Sequence, residues 1–194
     1  MGVIARIGVV AIMTISAASP AAAADLCFAR ASRLAHVEPD ILLAMSFVES
    51  RWHPDRVNSS NANGTEDVCL MQVNSIHHDR LAAIGVTRDR LLGNWCICLL
   101  AGAQVLGEMM DAVGGDVWTA VAAYNAGPNN IAGGRRYATK VRQVVEAVRT
   151  VRRRLAGPPT PQSPSLPAEA IAGDAQLDAL AAQLRGAEEP PHAP

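Results

Sequence analysis

The segment from Ile41 to Val48 consists almost entirely of apolar side chains and is followed at once by Glu49 and Ser50. A run of this length, entered through Pro39 where a first helical turn tolerates proline, predicts a buried helix. It therefore places a lone carboxyl group against an apolar helix. Burial disfavours the charged form of a carboxyl group, and a raised pKa is what a general acid working near neutral pH requires. A helix-end glutamate that points into water is the alternative.

Three regions differ in composition. Residues 25–156 carry the hydrophobic periodicity, enough for one domain of ordinary size. Residues 1–24 combine Arg6, an apolar stretch and a small-residue end at residues 22–24, which predicts a secretory signal peptide. Its apolar stretch is shorter than the ~20 residues of a membrane span, and we expect no stable span elsewhere. Export would place the protein in the periplasm, where cysteines form disulfides.

Residues 157–194 are dominated by Pro, Ala, Ser and acidic residues. Such a segment buries too little apolar surface to offset the entropy of ordering it, so the composition predicts a disordered tail. The alternative is a short docking helix over residues 168–184, with apolar residues on one side: Ile171, Leu177, Leu180 and Leu184.

The domain itself is predicted to be mostly helical. Helices are expected over residues 28–36, 99–113 and 117–124, the last with Asp116 as its N-cap and Gly127 after its end. Residues 52–66 form a polar loop without strand-like alternation. A closing helix presents one apolar face and an arginine-rich opposite side. The residues of that face are Val141, Val144, Val145, Val148 and Leu155.

Three short blocks stand in a fixed order along the domain. They are Glu49-Ser50, Leu70-Met71-Gln72-Val73-Asn74 and Ala123-Tyr124-Asn125-Ala126-Gly127. Behind an export signal, this set resembles the signature of the soluble lytic transglycosylase (SLT) family, lysozyme-like enzymes that cleave the glycan strands of peptidoglycan. The resemblance covers roughly residues 27–148. It implies a mostly α, lysozyme-like single catalytic domain with a substrate cleft.

The resemblance is closest to small members that accompany conjugation, secretion and pilus machines. The supporting details are Cys27-Phe28, Glu38-Pro39-Asp40, Asp67 and Cys96-Ile97. A component of such a machine is accordingly an expected partner, besides peptidoglycan itself.

In the family's reaction, the resemblance implies that Glu49 protonates the glycosidic oxygen and then, as a carboxylate, deprotonates the sugar's own 6-hydroxyl. The acetamido group of N-acetylmuramic acid assists, the product is a 1,6-anhydro sugar, and neither metal nor organic cofactor is needed. One carboxyl suffices because the substrate supplies its nucleophile. Glu66 and Asp67 are interpreted as solvated or turn-forming loop acids. A hydrolytic muramidase and a non-catalytic wall-binding assembly factor remain alternatives.

Four matched positions around the first two blocks carry expected substrate-binding roles. Ser50 would orient the carboxylate or the sugar, or be a simple helix-end hydroxyl. Met71 would pack against a sugar face and Gln72 would offer its amide. Asn74 is equally compatible with a structural role, in which it holds its own loop through backbone hydrogen bonds.

Three further matches come from the later helices. Tyr124 matches the phenol that reaches toward the acid, and Asn125 matches the amide beside it. Tyr137 matches the last family block, although a lone tyrosine on a helix is more often part of the core.

Two other patterns lead to expected absences. His77 and His78 are adjacent, so on a helix they face different directions, and no zinc-ligand spacing completes a site. No metal site is predicted. The arginines of residues 149–154 are interpreted as a solvated helix face, with an acidic wall polymer or an anionic membrane as the alternative partner. Export argues against nucleic acid.

The four cysteines are expected to form two disulfides. The resemblance implies a Cys27–Cys96 bridge, because small secretion-associated members tend to carry cysteine at both positions. Cys69 replaces a glycine of the family pattern and Cys98 replaces an asparagine, and their joint appearance is most simply explained by a Cys69–Cys98 bridge. A free Cys69, a Cys69–Cys96 pairing and reactive thiols remain open. A glycine position can also require backbone angles that cysteine disfavours.

Overall fold

The computed structural model describes residues 19–156 and 175–186. These residues are mostly helical, as predicted, and include a small three-stranded antiparallel sheet. The predicted signal peptide lies outside them, except for residues 19–24. The helices are α1 Pro20–Ala35, α2 Pro39–Ser50, α3 His78–Ala83, α4 Arg88–Gly93, α5 Trp95–Ala112, α6 Val117–Ala126, α7 Ile131–Ala156 and α8 Ala175–Gly186.

The ends of the site-bearing helices follow local sequence signals. Helix α2 begins at Pro39 and ends where Arg51 adopts a left-handed conformation, φ 57°. The predicted N-cap of α6 is present, since the Asp116 carboxylate accepts a hydrogen bond from the Thr119 amide at 2.7 Å. Gly127, with φ 83°, ends α6. Both Glu49 and Tyr124 thus lie near helix ends that open onto the same side of the core.

Helix α5 forms the centre of the core. Its residues 96–106 are all buried, and it packs between α1 and α6. Contrary to the sequence-based expectation, α5 is long and apolar enough to cross a membrane by length and composition alone. Most of it is enclosed by other helices, as in the core helix of a globular domain.

A small sheet replaces the purely irregular loop expected between α2 and α3. Strands β1 Val57–Asn58, β2 Asp67–Val68 and β3 Val73–Asn74 pair in sequence order, all antiparallel. The prediction of no strand within residues 52–66 was wrong at β1. A two-residue strand is too short to produce a detectable alternation of polar and apolar residues.

Helix α7 closes the domain against α2 and α6. Val141 and Val145 are buried as predicted, but Leu155 is 82% exposed and lies off the packed face. Its arginine-rich side is also only partly solvated. Arg149 pairs with Glu38, and Arg152 pairs with Asp40 at 2.9 Å. These ion pairs attach the far end of α7 to the start of α2.

Both predicted disulfides are present. Cys27–Cys96 joins α1 to α5, and Cys69–Cys98 joins the β2–β3 turn to α5. In the chain-entropy account each bridge contributes about 4 kcal/mol to the free energy of unfolding. Cys69 has φ 66°, a left-handed conformation that glycine adopts easily and cysteine does not. The position at which cysteine replaces the family glycine therefore does have backbone angles that cysteine disfavours.

Helix α8 differs from the expected disordered tail. Leu180, Ala181 and Leu184 are buried where α8 packs on α1 and α5. Arg30, whose side chain is only 4% exposed, pairs with Asp178 at 2.7 Å. Composition averaged over residues 157–194 conceals this short amphipathic stretch. The rest of that tail, Ile171 included, lies outside the described residues.

Removal of α8 should destabilise the domain, because it uncovers apolar surface and leaves the Arg30 guanidinium without its carboxylate. We expect a chain ending at Ala156 to melt about 5 °C or more below the full chain. A chain ending at Gly186 is the matched control and should melt like the full chain. Equal melting temperatures for all three, by circular dichroism, would contradict a structural role for α8.

The left-handed turn at Cys69 allows a comparison of two bridge-free variants. Cys69→Gly/Cys98→Ser and Cys69→Ser/Cys98→Ser both lack the disulfide, but only the first suits the observed φ. We expect the glycine variant to be more stable by about 1 kcal/mol. Chemical denaturation under oxidising conditions measures this difference. A serine variant of equal or greater stability would show that the turn relaxes without the bridge.

Candidate active site

A cleft of about 840 Å³ opens between the small sheet and the C-terminal end of α6. Its walls carry a mixture of acids, amides, a phenol and small apolar groups. Among the lining residues are Glu49, Asn58, Asn61, Asp67, Gln72, Asn74, His77, Met109, Tyr124, Asn125 and Pro128. The structure thus brings most of the predicted site residues into one concave surface.

Glu49 is the acid of this cleft. It lies in the last turn of α2 and is partly buried. Burial raises the pKa of its carboxyl to about 7, and the negative charge of Asp67 adds to the rise. Hydrogen bonding from Tyr137 acts in the opposite direction. The carboxyl therefore changes protonation state near neutral pH, as the apolar run before it predicts.

Two tyrosines flank Glu49 from α6 and α7. Burial, followed by the negative charge of Glu49, raises the pKa of both Tyr124 and Tyr137 well above the ordinary value. Both phenols consequently stay protonated and can donate hydrogen bonds. The buried Tyr137 hydroxyl lacks a partner of standard geometry among the described residues, yet it lies close enough to Glu49 to favour the carboxylate. This position joins Tyr137 to the site.

Tyr124 makes a different contact from the one expected. Its hydroxyl donates to the backbone carbonyl of Met71 at 2.9 Å. It therefore connects α6 to the turn that forms one side of the cleft. The phenol still borders the cleft and senses the charge of Glu49.

Met71 does not face a sugar, and that interpretation is corrected. Its side chain is fully buried, and the Ser46 hydroxyl lies 3.2 Å from its sulfur. A Cβ atom placed on Gly102 would come within 2.5 Å of the Met71 Cβ atom. The side chain thus packs into the space that Gly102 leaves on α5. The sequence could not distinguish this inward direction from a cleft-facing one.

Ser50 is likewise turned inward. It is fully buried, and its hydroxyl donates to the Ser46 carbonyl one turn earlier at 3.0 Å. These contacts match the alternative of a simple helix-end hydroxyl. Serine and threonine hydroxyls often bond back to their own helix in this way.

The amide side chains of Gln72 and Asn74 form hydrogen bonds within their own loop, whereas that of Asn125 is exposed. Gln72 donates from its amide nitrogen to the carbonyls of Cys69 and Arg56, at 2.9 and 3.2 Å. Asn74 caps the following turn through the Ile76 amide, in line with the structural alternative for this residue. Asn125 is exposed at the end of α6 and lines the cleft.

Asp67 is held more firmly than its interpretation as a loop acid predicted. Its two oxygens accept amide hydrogen bonds from Asn58 at 3.1 Å, Asn61 at 2.9 Å and Asn74 at 2.6 Å. The carboxylate is thereby fixed in the cleft, where its charge acts on Glu49. The only sequence signal for this arrangement is the asparagine-rich loop before Asp67.

Within residues 19–156 and 175–186, no group of three or more His, Cys, Asp or Glu side chains could hold a metal ion. His77 lines the cleft and approaches Arg80, and His78 begins α3. The two imidazoles therefore occupy different local settings.

The opposing effects of Asp67 and Tyr137 on Glu49 can be measured by NMR titration of the Glu49 carboxyl carbon. We expect a midpoint near pH 7, with the neutral acid below it and the carboxylate above. Asp67→Asn should lower the midpoint because it removes a repelling charge, whereas Tyr137→Phe should raise it because it removes a donor to the carboxylate. A midpoint near 4.5 in the unsubstituted protein would contradict burial of the acid.

Comparison with known proteins identifies the family. The sequence profile of the Transglycosylase SLT domain matches residues 26–144. The chain is 37% identical over 117 residues to invasion protein IagB of Salmonella typhimurium, covering 59% of this chain and 72% of IagB. It is 34% identical over 101 residues to protein IpgF of Shigella flexneri, covering 52% and 65%. With the X polypeptide of Escherichia coli it shares 37% identity over 105 residues, covering 54% and 60%. The chain therefore belongs to the transglycosylase SLT-domain family.

Proposed function

We propose that the protein is a periplasmic peptidoglycan lytic transglycosylase that cleaves the β-1,4 bond between N-acetylmuramic acid and N-acetylglucosamine. The observation that carries the proposal is the partly buried Glu49 side chain in the wall of the cleft, where burial raises the pKa of its carboxyl to about 7. An acid with this pKa is protonated often enough to donate a proton and is also a competent base afterwards.

In the proposed reaction, Glu49 gives its proton to the bridging oxygen as the bond from that oxygen to C1 of the muramic acid breaks. The acetamido group supports the developing positive charge at C1. The 6-hydroxyl oxygen then bonds to C1, and its proton returns to the Glu49 carboxylate. The product is a 1,6-anhydro end, and no water is added.

Tyr137 supports the intermediate stage of this cycle. Its phenol interacts favourably with Glu49 in the charged form, which is the form that exists between the two proton transfers. Its own pKa is raised by burial, so the phenol keeps its proton throughout. We assign Tyr137 a supporting role: it limits how far burial disfavours the carboxylate.

Asp67 favours a second candidate, hydrolysis by a muramidase. Retaining and inverting glycosidases use two carboxyl groups, and Asp67 is a second carboxylate fixed in the same cleft. Its three amide donors, however, occupy both of its oxygens. This engagement favours a purely electrostatic role, and so we rank hydrolysis below transglycosylation.

The setting of the activity is part of the proposal. One of the related proteins is named for invasion, and the predicted export signal would bring this chain to the cell wall. We infer that it opens the wall for a trans-envelope secretion, conjugation or pilus apparatus. The catalytic unit would comprise residues 25–156 together with α8, after cleavage of residues 1–24.

Replacement of Glu49 by Gln tests the reaction. Glu49→Gln keeps the shape of the side chain but removes the transferable proton, so we expect cleavage of purified peptidoglycan to fall by about a hundredfold or more. Glu146→Gln, at an exposed position on α7, is the matched control and should cleave normally. Mass analysis of the products distinguishes anhydro from reducing ends. Near-normal turnover by Glu49→Gln would refute the mechanism, and reducing ends alone would establish the muramidase alternative.

A further inference from the structure

The loop between β1 and β2 contains the Asn-Gly pair Asn63-Gly64, and the chain has no other pair of this kind. Both residues are exposed. Asparagine is a thermolabile residue, because the backbone nitrogen of the next residue can attack its side-chain amide carbon. Glycine in the next position hinders this attack least, since it has no side chain. The pair is therefore a candidate for spontaneous deamidation.

The side-chain amide of Asn63 is oriented in a way that favours attack. Its carbonyl oxygen accepts hydrogen bonds from the Thr65 backbone amide at 3.2 Å and from the Thr65 hydroxyl at 2.7 Å. Two donors on this oxygen stabilise the negative charge that develops there when a nucleophile adds to the amide carbon. No residue within the described ranges accepts a hydrogen bond from the Asn63 amide nitrogen. The nitrogen that must leave is thus not held in place.

The neighbouring asparagines are in the opposite situation. Asn58, Asn61 and Asn74 each donate a hydrogen bond from the amide nitrogen to the Asp67 carboxylate, at 3.1, 2.9 and 2.6 Å. In these residues the nitrogen that would have to leave is held by a fixed acceptor. None of the three precedes a glycine. The two conditions for deamidation therefore coincide at Asn63.

Gly64 can supply the attacking nitrogen. Apart from its chain neighbours, no atom lies within 4 Å of the position that a Cβ atom on Gly64 would occupy, which leaves space for a ring to form. The Gly64 amide donates to the Asn61 carbonyl at 2.9 Å, and this hydrogen bond must open first. A single hydrogen bond in an exposed turn contributes little net stability, so it opens readily.

We propose that Asn63 deamidates spontaneously in the folded protein, through a succinimide formed with Gly64. The Gly64 nitrogen gives its proton to hydroxide and bonds to the Cγ atom of Asn63, and the side-chain nitrogen takes a proton from water and leaves as ammonia. Water then opens the five-membered ring. Opening at Cγ gives aspartate, and opening at the main-chain carbonyl carbon gives isoaspartate. One water enters, one ammonia leaves, and nothing is oxidised or reduced.

The modification changes the cleft, because Asn63 is one of its lining residues. Either product replaces a neutral amide by a carboxylate in a cleft that already contains Asp67. Isoaspartate also lengthens the main chain by one CH2 group just before Thr65. The Thr65 hydroxyl oxygen accepts hydrogen bonds from the amides of Asn61 and Asn74, which both hold Asp67. The isoaspartate product therefore disturbs the support of Asp67.

Ageing of the purified protein in mildly alkaline buffer, followed by peptide mapping with mass spectrometry, tests the proposal. We expect NH2 to be replaced by OH at Asn63 about tenfold faster than at Asn58, Asn61 or Asn74. Methylation by a protein isoaspartyl methyltransferase identifies isoaspartate, which should form together with aspartate. Conversion should be slower in mildly acidic buffer, because the attack requires loss of the proton on the Gly64 nitrogen.

Asn63→Gln is the matched control. It keeps a side-chain amide at an exposed position, but cyclisation would require a larger and less favourable ring. We therefore expect no conversion at position 63 in this variant over the time in which Asn63 is converted.

Three results would overturn the proposal. One is an unchanged Asn63 in the folded protein with conversion only in the urea-unfolded chain, because the fold would then protect the pair. Another is conversion of Asn58, Asn61 or Asn74 at an equal rate. The third is aspartate without isoaspartate, which would exclude the succinimide. None of these measurements involves glycan cleavage, so the outcome is independent of the proposed function.

Discussion

The packing of Met71 against the bare backbone of Gly102 positions the rest of the site. It brings the β2–β3 turn so close to α5 that no side chain fits at position 102. Three other contacts depend on it: the Cys69–Cys98 bridge, the hydrogen bond from the Met71 amide to the Cys98 sulfur at 3.2 Å, and the Tyr124 hydrogen bond to the Met71 carbonyl. One buried residue therefore joins the turn to α5 and α6. Gln72 and Asn74, which follow Met71 in the chain, then border the cleft.

Around this frame, the protein sets the pKa of Glu49 by balancing two opposing effects. Burial and the fixed charge of Asp67 favour the neutral acid, whereas the Tyr137 phenol favours the carboxylate. Each of these groups comes from a different element: α2, the sheet and α7. A carboxyl at the end of an apolar helix would be too weak an acid if burial acted alone. Tyr137 offsets part of that effect, and the amides of Asn58, Asn61 and Asn74 prevent Asp67 from moving away.

The sequence predicted features that depend on composition and local pattern. It did not predict the direction in which individual side chains point. The helix that carries Glu49 and the Asp116 cap were predicted, because each depends on residue type and spacing. The Cys27–Cys96 disulfide was implied by the family resemblance, and the Cys69–Cys98 disulfide by the joint appearance of two cysteines that depart from the family pattern. Met71 and Ser50 were assigned to the cleft but turn into the core, since a short motif does not reveal which way a side chain points from an irregular turn or a helix end. A short helix near α8 was considered only as the alternative to a disordered tail, because its three buried residues and one ion pair lie within a polar, proline-rich segment. Asp67 appeared to be an ordinary loop acid, because its amide donors are brought together only by the paired strands.

The distribution of charge differs between the first half of α7 and its far end. The whole chain has a formal net charge of −1, so its overall field does not attract an anionic polymer. The electrostatic effects of its arginines are therefore local. At the far end of α7, Arg149 and Arg152 pair with acidic residues at the start of α2. Arg135 and Arg142, in its first half, line a second concavity and take part in no salt bridge among the described residues. The same helix also carries Tyr137 to Glu49. A single element thus closes the domain and tunes the acid, and near its far end its arginines also attach it to the start of α2.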